Sequence, residues 1–504
     1  MKLRIGITAA IFLTASSAVL AANSEDVLKV PITRVTSSGR PSTVGRWAHT
    51  LRKYGLSQKR HASKAGGPRG RQRGQLEDET SLARIPLVDY DFDREVDIIE
   101  MDPQIVRCGA IEARIAIYYG TVMIGEPPQA FKIDFDTGSS QFIISAKDCI
   151  ECSGTTHYDS TASTTFLANG NPWKITYGDQ SHAEGILGHD RITLDTIIVE
   201  NQQLALVTNE SAGFDDTIDG IMGLAFGSLS TSIASTKTVF ENMMAQKVVE
   251  RGIFSFYLGK SKLNGGGEVI FGGMDMDRVE PGHKITYTPV TKAKYWQINV
   301  SDVLVNGKSV SYKSEQGRKD GGKNSDSSKD GNETEKGNGD KADDSKEENG
   351  DHKKKSSNDM PGIMDTGTTL LIVPQRLAVN IHRKIKGSKV VERTWTLPCD
   401  LVTDEPDGKI ELEIEGKNFA VPFEDLVREE TEPGSKTCYS GIQSSSASFM
   451  IIGDLFIKNN YVVFDQENKK VGIAPLKLEK PKEDAANESN GAGDDDDDDD
   501  DDDE

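Results

Sequence analysis

The feature that most constrains this 504-residue chain is one phrase written twice: Ile133-Asp134-Phe135-Asp136-Thr137-Gly138-Ser139, and Ile363-Met364-Asp365-Thr366-Gly367-Thr368, with Asp136 and Asp365 229 residues apart. Each copy sets one carboxylate between an apolar lead-in and a Thr-Gly turn. The lead-in reads as a buried strand end, glycine permits the tight turn, and the Thr or Ser hydroxyls can satisfy carboxylate oxygens. If two such turns meet, the carboxylates share a site. Like charges a few ångströms apart cannot both ionise cheaply, so one pKa rises, the other falls and the pair holds a single proton. Such a pair activates water and protonates a carbonyl oxygen in the same step, as general acid and general base together. Two unrelated β-turns are the plain alternative.

The repeat extends beyond the turns. Each is followed by a second apolar phrase containing Gly: Ile221-Met222-Gly223-Leu224 in the first half, Ile451-Ile452-Gly453-Asp454-Leu455 in the second. This order predicts two similar lobes, one carboxylate in each, with a cleft between them. From about Ile85 to Leu476, short β-rich runs such as Ile115 to Val122, Ile192 to Val199 and Tyr461 to Phe464 alternate with Gly, Asn, Asp and Pro turns. Helical candidates are few, chiefly Thr238 to Val249 and Arg376 to Lys386, so the class is all-β with small helices. The expected division is 113–285 for the N-terminal lobe and 286–478 for the C-terminal lobe, with 85–112 a segment of uncertain processing.

Residues 1–22 have the parts of a secretory signal: Lys2 and Arg4, a mainly apolar run from Ile5 to Leu13, then Val19-Leu20-Ala21. No later stretch is apolar enough to span a membrane. Net charge is −21, and it is unevenly spread. Residues 23–84 carry thirteen Lys or Arg against five Asp or Glu, and include a candidate amphipathic helix around Trp47 to Tyr54, the pair Lys59-Arg60 and an Arg-rich run from Gly66 to Gly74. A basic segment with cut sites, placed before an acidic body, reads as a removable pro-segment; a disordered basic tail is the bland reading. Its Lys and Arg, held over an acidic cleft at neutral pH, would be released as the carboxylates protonate. The acidity of the body argues against a nucleic-acid partner.

Residues 313–359 hold eleven Lys or Arg and thirteen Asp or Glu with no Val, Ile, Leu, Phe or Met, so a disordered surface insertion and a nick site are expected. Asp494 to Glu504 alone carries −11. That tail, within an expected disordered end at 479–504, reads as a solvated charge run, with calcium binding the rival role. Sequons occur at Asn209, Asn299, Asn332 and Asn487. In an exported protein, Cys149-Ile150-Glu151-Cys152 reads as a small disulfide loop rather than a zinc or redox motif, and Cys399 pairs with Cys438. Cys108 is left over: free, linking chains, or lost in processing.

With these motifs in hand, Asp136-Thr137-Gly138-Ser139 and Asp365-Thr366-Gly367-Thr368 resemble the active-site loops of the pepsin-like aspartic endopeptidases, and the resemblance runs from about Tyr118 to Pro475. Tyr177-Gly178-Asp179 looks like that family's flap hairpin, Ile218 to Phe226 like its first-lobe core strand, and Lys470 to Pro475 like its closing strand. Cys149-x-x-Cys152, Gly265-Gly266-Gly267-Glu268, Thr368 to Ile372 and Lys458 to Phe464 are similar to the secreted rhizopuspepsin-type enzymes of moulds, and Leu28-Lys29-Val30-Pro31 to the start of a pepsin-type propeptide.

The resemblance implies a bilobal fold and an acid endopeptidase made as a zymogen, using no cofactor or metal. Asp136 and Asp365 would hold the lytic water. Thr137 and Thr366 would cross-link the two loops, Gly138 and Gly367 would shape them, and Ser139 and Thr368 would hydrogen-bond the carboxylates. Tyr177, Gly178 and Asp179 would close over the peptide, with the pro-segment as intramolecular inhibitor. Protein and peptide substrates, a monomer, and secretion to the outside are implied, with a vacuolar or secretory-pathway enzyme as the nearer alternative and a silent peptide-binding relative as the rival class. Ile143 departs from the family, which has Trp there to hydrogen-bond the flap Tyr. Asp179 on the flap either pairs with a substrate Lys, broadening an apolar preference, or is a turn-former.

Overall fold

The computed structural model describes residues 28–35, 43–56, 117–150, 152, 154–176, 182–210, 218–230, 237–260, 266–310 and 359–477. The signal stretch, Lys59-Arg60, Cys108, Tyr177-Gly178-Asp179, Asn332, Asn487, all but the last residue of the 313–359 insertion and the acidic tail lie outside them.

Strands dominate, as the turn-punctuated apolar runs require. A 13-stranded sheet holds the first half of the chain: β1 (Leu28–Val35), β2 (Ile117–Ile124), β3 (Gln129–Asp136), β4 (Phe142–Ile150), β5 (Leu167–Thr176), β6 (His182–Leu194), β7 (Ile197–Glu210), β8 (Gly220–Gly223), β9 (Ile253–Leu258) and β10 (Gly266–Phe271). The remaining three strands, Thr286–Pro289, Asn460–Asp465 and Lys470–Pro475, come from the second half. Across the sheet, β1 sits between β10 and β2, antiparallel to both.

The duplication seen in the sequence is a duplication of strand pairing. In the first lobe β3 lies parallel to β8 with Asp136 opposite Gly223, β8 is antiparallel to β4, and β4 is parallel to β7. In the second, Met360–Met364 lies parallel to Met450–Ile452, which is antiparallel to Leu371–Pro374, itself parallel to Ile442–Ser445. Parallel strands buried on both faces read as continuous apolar runs. That is why Ile363-Met364 and Ile451-Ile452, all buried, showed no polar alternation.

The lobes are joined by aromatic packing. Trp296 is fully buried against Phe226, Phe254 and Phe464, and its indole N–H donates to the Leu224 carbonyl at 2.9 Å. Removing such a ring costs about 3–5 kcal/mol in a typical core. Helices are short: α1 (Thr43–Lys53), α2 (Val239–Gln246), α3 (Gln375–His382) and a few single turns. Thr238 and Glu241 form a capping box at the start of α2. Its end comes three residues before the expected Val249, because Lys247 takes a left-handed conformation at φ 57° and closes the helix. Both cystines form, Cys149 with Cys152 and Cys399 with Cys438.

Candidate active site

Asp136 ends β3, and Asp365 follows directly on Met360–Met364. The two strand ends deliver both carboxylates to one buried place, Asp136 3% exposed and Asp365 fully enclosed. Within each turn the glycine N–H donates back to its own carboxylate: Gly138 to Asp136 Oδ1 at 2.7 Å and Gly367 to Asp365 Oδ1 at 3.0 Å.

These glycines are required by the opposite lobe. A Cβ on Gly138 would lie 2.4 Å from Asp365 Oδ1, and one on Gly367 would lie 2.5 Å from Asp136 Oδ1. Only a residue without a side chain lets each turn approach the other carboxylate this closely. The threonines between them interlock. Thr137 and Thr366 each donate a backbone N–H to the other's hydroxyl at 3.0 Å, and the hydroxyls donate onward to Met364 O at 3.0 Å and Phe135 O at 2.5 Å.

The outer hydroxyls differ. Thr368 Oγ1 donates to Asp365 Oδ2 at 2.5 Å. Ser139 is half-buried with its hydroxyl enclosed beside Asp136, where it pulls that carboxyl's pKa down although it lies outside strict hydrogen-bond geometry; Asp136 Oδ1 is already occupied by Gly138 and Lys53. The electrostatics split accordingly. Burial pushes Asp136 up, with the Asp365 charge adding to it against the pull of a neighbouring ammonium. For Asp365 burial acts upward too, but that ammonium and the Thr368 hydroxyl outweigh it and hold the carboxyl below its usual range. Asp134 and Asp454 nearby are both raised, by burial first and then by like charge, so they favour their neutral forms.

The ammonium belongs to Lys53, the last residue of α1. Its Nζ lies 2.7 Å from Asp136 Oδ1 and 2.8 and 3.0 Å from the two oxygens of Asp365, and the Tyr54 hydroxyl donates to Asp365 Oδ2 at 2.9 Å. Helix α1 is held mainly by the second lobe. Glu429 accepts from both the N–H and hydroxyl of Thr43 at its first residue, Trp47 Nε1 donates to Ser444 O at 2.8 Å, and Trp47 and Leu51 pack on Leu370, Ile372 and Ile451. Neither Lys53 nor Tyr54 was singled out from sequence. The available signal was the amphipathic stretch from Trp47 to Tyr54 in a basic segment ahead of an acidic body.

Around the dyad, Ile143 is 7% exposed and packs with Trp173, Ala183, Leu187, Ala205 and Val207. The Trp173 indole N–H donates to Gln141 Oε1 at 3.1 Å. No helix among the described residues is long and apolar enough to cross a membrane.

Comparison with known proteins agrees with this architecture. The family model for eukaryotic aspartyl proteases matches residues 117–324 and 344–476. Syncephapepsin of Syncephalastrum racemosum is 33% identical over 395 residues, 78% of this chain and 80% of that protein. Rhizopuspepsin of Rhizopus chinensis is 34% identical, over 71% of this chain and 78% of its own. Cathepsin D of Dictyostelium discoideum is 31% identical, over 71% and 83%. A repeated carboxylate turn, duplicated strand pairing and a family match across both lobes converge: the chain belongs to the eukaryotic aspartyl protease family and is an aspartic endopeptidase.

Proposed function

We propose that this protein is made as an inactive precursor, exported, and converted in acid to an endopeptidase whose working groups are Asp136 and Asp365. The observation that carries the reading is the Lys53 ammonium within 2.8 Å of an oxygen of each carboxylate, the place a water and a peptide carbonyl must take. With Lys53 gone, two enclosed carboxyls that share one proton are what a single-step acid–base pair needs.

In the active form the ionised carboxylate takes a proton from water as its oxygen attacks the scissile carbonyl, and the protonated partner gives its proton to the carbonyl oxygen. A neutral tetrahedral diol forms with no covalent bond to the enzyme. Its collapse breaks the C–N bond; a hydroxyl proton returns to one carboxylate and the leaving nitrogen receives the other proton, so the dyad regains its starting count. Thr137, Gly138, Thr366 and Gly367 hold the turns, Thr368 donates to Asp365, and Ser139 serves Asp136 once Lys53 has left. Tyr177, Gly178 and Asp179 close over the peptide, whose backbone supplies much of the affinity. Apolar residues before the scissile bond are preferred, and Asp179 extends the preference to Lys by pairing with its ammonium. The secreted form is a monomer, with Asn332 its main glycan site.

The test is direct. Full-length chain brought to acid pH, with and without a statine-type inhibitor, should shorten by loss of the segment holding α1 and then cleave protein; Asp365→Ala should do neither. Retained activity in that variant overturns the dyad. Cleavage of a Lys-containing peptide by Asp179→Thr as fast as by the parent would rule out the charge pairing.

A further inference from the structure

Trp173 lies on β5, four residues before Tyr177, and Gln141 lies five residues after Asp136 in the segment joining β3 to β4. Both are largely enclosed, Trp173 at 4% and Gln141 at 9% exposed. An indole N–H only donates and needs an acceptor when buried. Gln141 Oε1 supplies it at 3.1 Å, while the amide Nε2 donates to Ser230 Oγ at 3.4 Å. The orientation of that amide is thereby set, since the reverse would face two donors together.

Gln141 is itself fixed to the carboxylate turn. Its carbonyl accepts from Gly223 N–H at 2.9 Å, and the next residue, Leu224, donates its N–H to Asp136 O at 2.8 Å. Gly223 has no room for a Cβ, which would fall 2.5 Å from Gln141 N, so this junction is close-packed. A short relay thus runs from the Trp173 ring through the Gln141 side chain and the end of β8 to the backbone of Asp136. Ile143, two residues beyond Gln141 and packed against the same indole, has no polar atom to share the task.

We propose that Gln141 and Trp173 are positioning residues for peptide hydrolysis, the amide–indole bond holding β5 in register with the turn that carries Asp136. This rests on the dyad reading above. The bond contributes to alignment of the bound peptide and not to its uptake, so its loss falls on kcat more than on KM.

Acid-activated wild type, Trp173→Phe, Gln141→Leu, the double variant and Gln141→Glu are compared on one chromogenic peptide, with the thermal midpoint of each and Asp365→Ala as the silent control. Trp173→Phe and Gln141→Leu should each lower kcat by about three- to tenfold, the range of one lost buried hydrogen bond, with KM little changed. The double variant should lose no more than either single, and Gln141→Glu, which keeps an acceptor, should stay within about twofold of wild type. Unchanged kcat in Trp173→Phe, additive losses in the double variant, or kcat losses that merely follow the thermal midpoint would each overturn the assignment while leaving the dyad reading intact. Inactivity of wild type itself in acid would overturn both.

Discussion

Thr137 and Thr366 hold each other symmetrically across the two lobes, each backbone N–H donating to the other's hydroxyl at 3.0 Å. Both are buried, so losing one hydroxyl strands an N–H from the opposite lobe and a carbonyl behind it. Thr137→Val and Thr366→Val should each destabilise the protein by about 1–3 kcal/mol, and the pair together by less than the sum, because they remove one shared network. Urea unfolding followed by intrinsic fluorescence measures this; additive losses would show that the two turns are held independently.

Lys53→Met should unmask the dyad. With the ammonium gone, two buried carboxylates lose their counter-charge and α1 loses its deepest contact. Asp365 is held below its usual range in the docked state, so its share of docking stability is complete above the ordinary carboxylate range and is lost as pH falls through the depressed value. The variant should therefore process itself at higher pH than the parent. Incubation across pH 3–7 (about the carboxylate and histidine ranges), read by the size of the product, checks it; an unchanged pH profile would mean Lys53 does not govern release.

His49 adds a second proton-linked contribution. It lies on α1 among Arg46, Arg52 and Lys53, with Asp365 the opposing charge from the second lobe, and burial first, then these cations, lower it to about 4. Docked α1 thus takes up fewer protons than released α1 between the unperturbed value of 6.5 and about 4, and docking weakens as pH falls through that window. His49→Gln removes this contribution and should move the midpoint of self-processing downward by on the order of half a pH unit. A midpoint that stays put or rises would refute the assignment.

Asp425 and Lys458 form an enclosed pair at 2.6 Å, with Lys260 at 3.3 Å on the other oxygen. Burial favours a protonated Asp425, but the two ammonium groups outweigh it and hold the carboxyl below the usual range. Asp425→Ala leaves Lys458 buried without its charge partner and should cost about 3–5 kcal/mol in thermal or urea unfolding. A loss below about 1 kcal/mol would place the pair with exposed ion pairs instead.

How far these features were legible before folding depended on how local their causes are. Asp136 and Asp365 announce themselves because strand end, turn glycine and hydroxyl sit within a few consecutive residues, and the repeat makes the phrase improbable by chance. The helix α2 was expected from Thr238 onward, and its start is where Thr238 and Glu241 cap it. Lys53 was not: the basic segment offers Lys53, Lys59, Arg60 and others, and which cation meets the dyad is decided by where Trp47 and Leu51 dock on the other lobe. The reciprocity of Gly138 and Gly367, each making room for the carboxylate of the opposite turn, depends on both turns being in place. Gln141 reads as an ordinary polar residue until β5 folds back and brings an indole to it.

Strand β1 is hydrogen-bonded on both edges in the middle of a continuous sheet, to β10 through Leu28 to Thr33 and to β2 through Thr33 to Val35. A cut that removed it would not trim the molecule at its margin but pull a plank from the centre of the floor, baring backbone N–H and C=O groups of β10 opposite Leu28 to Thr33 and of β2 opposite Thr33 to Val35. If the proposed maturation removes this segment, it takes out an interior strand of the sheet, so the shortened protein must either refill that lane or leave those backbone groups to water.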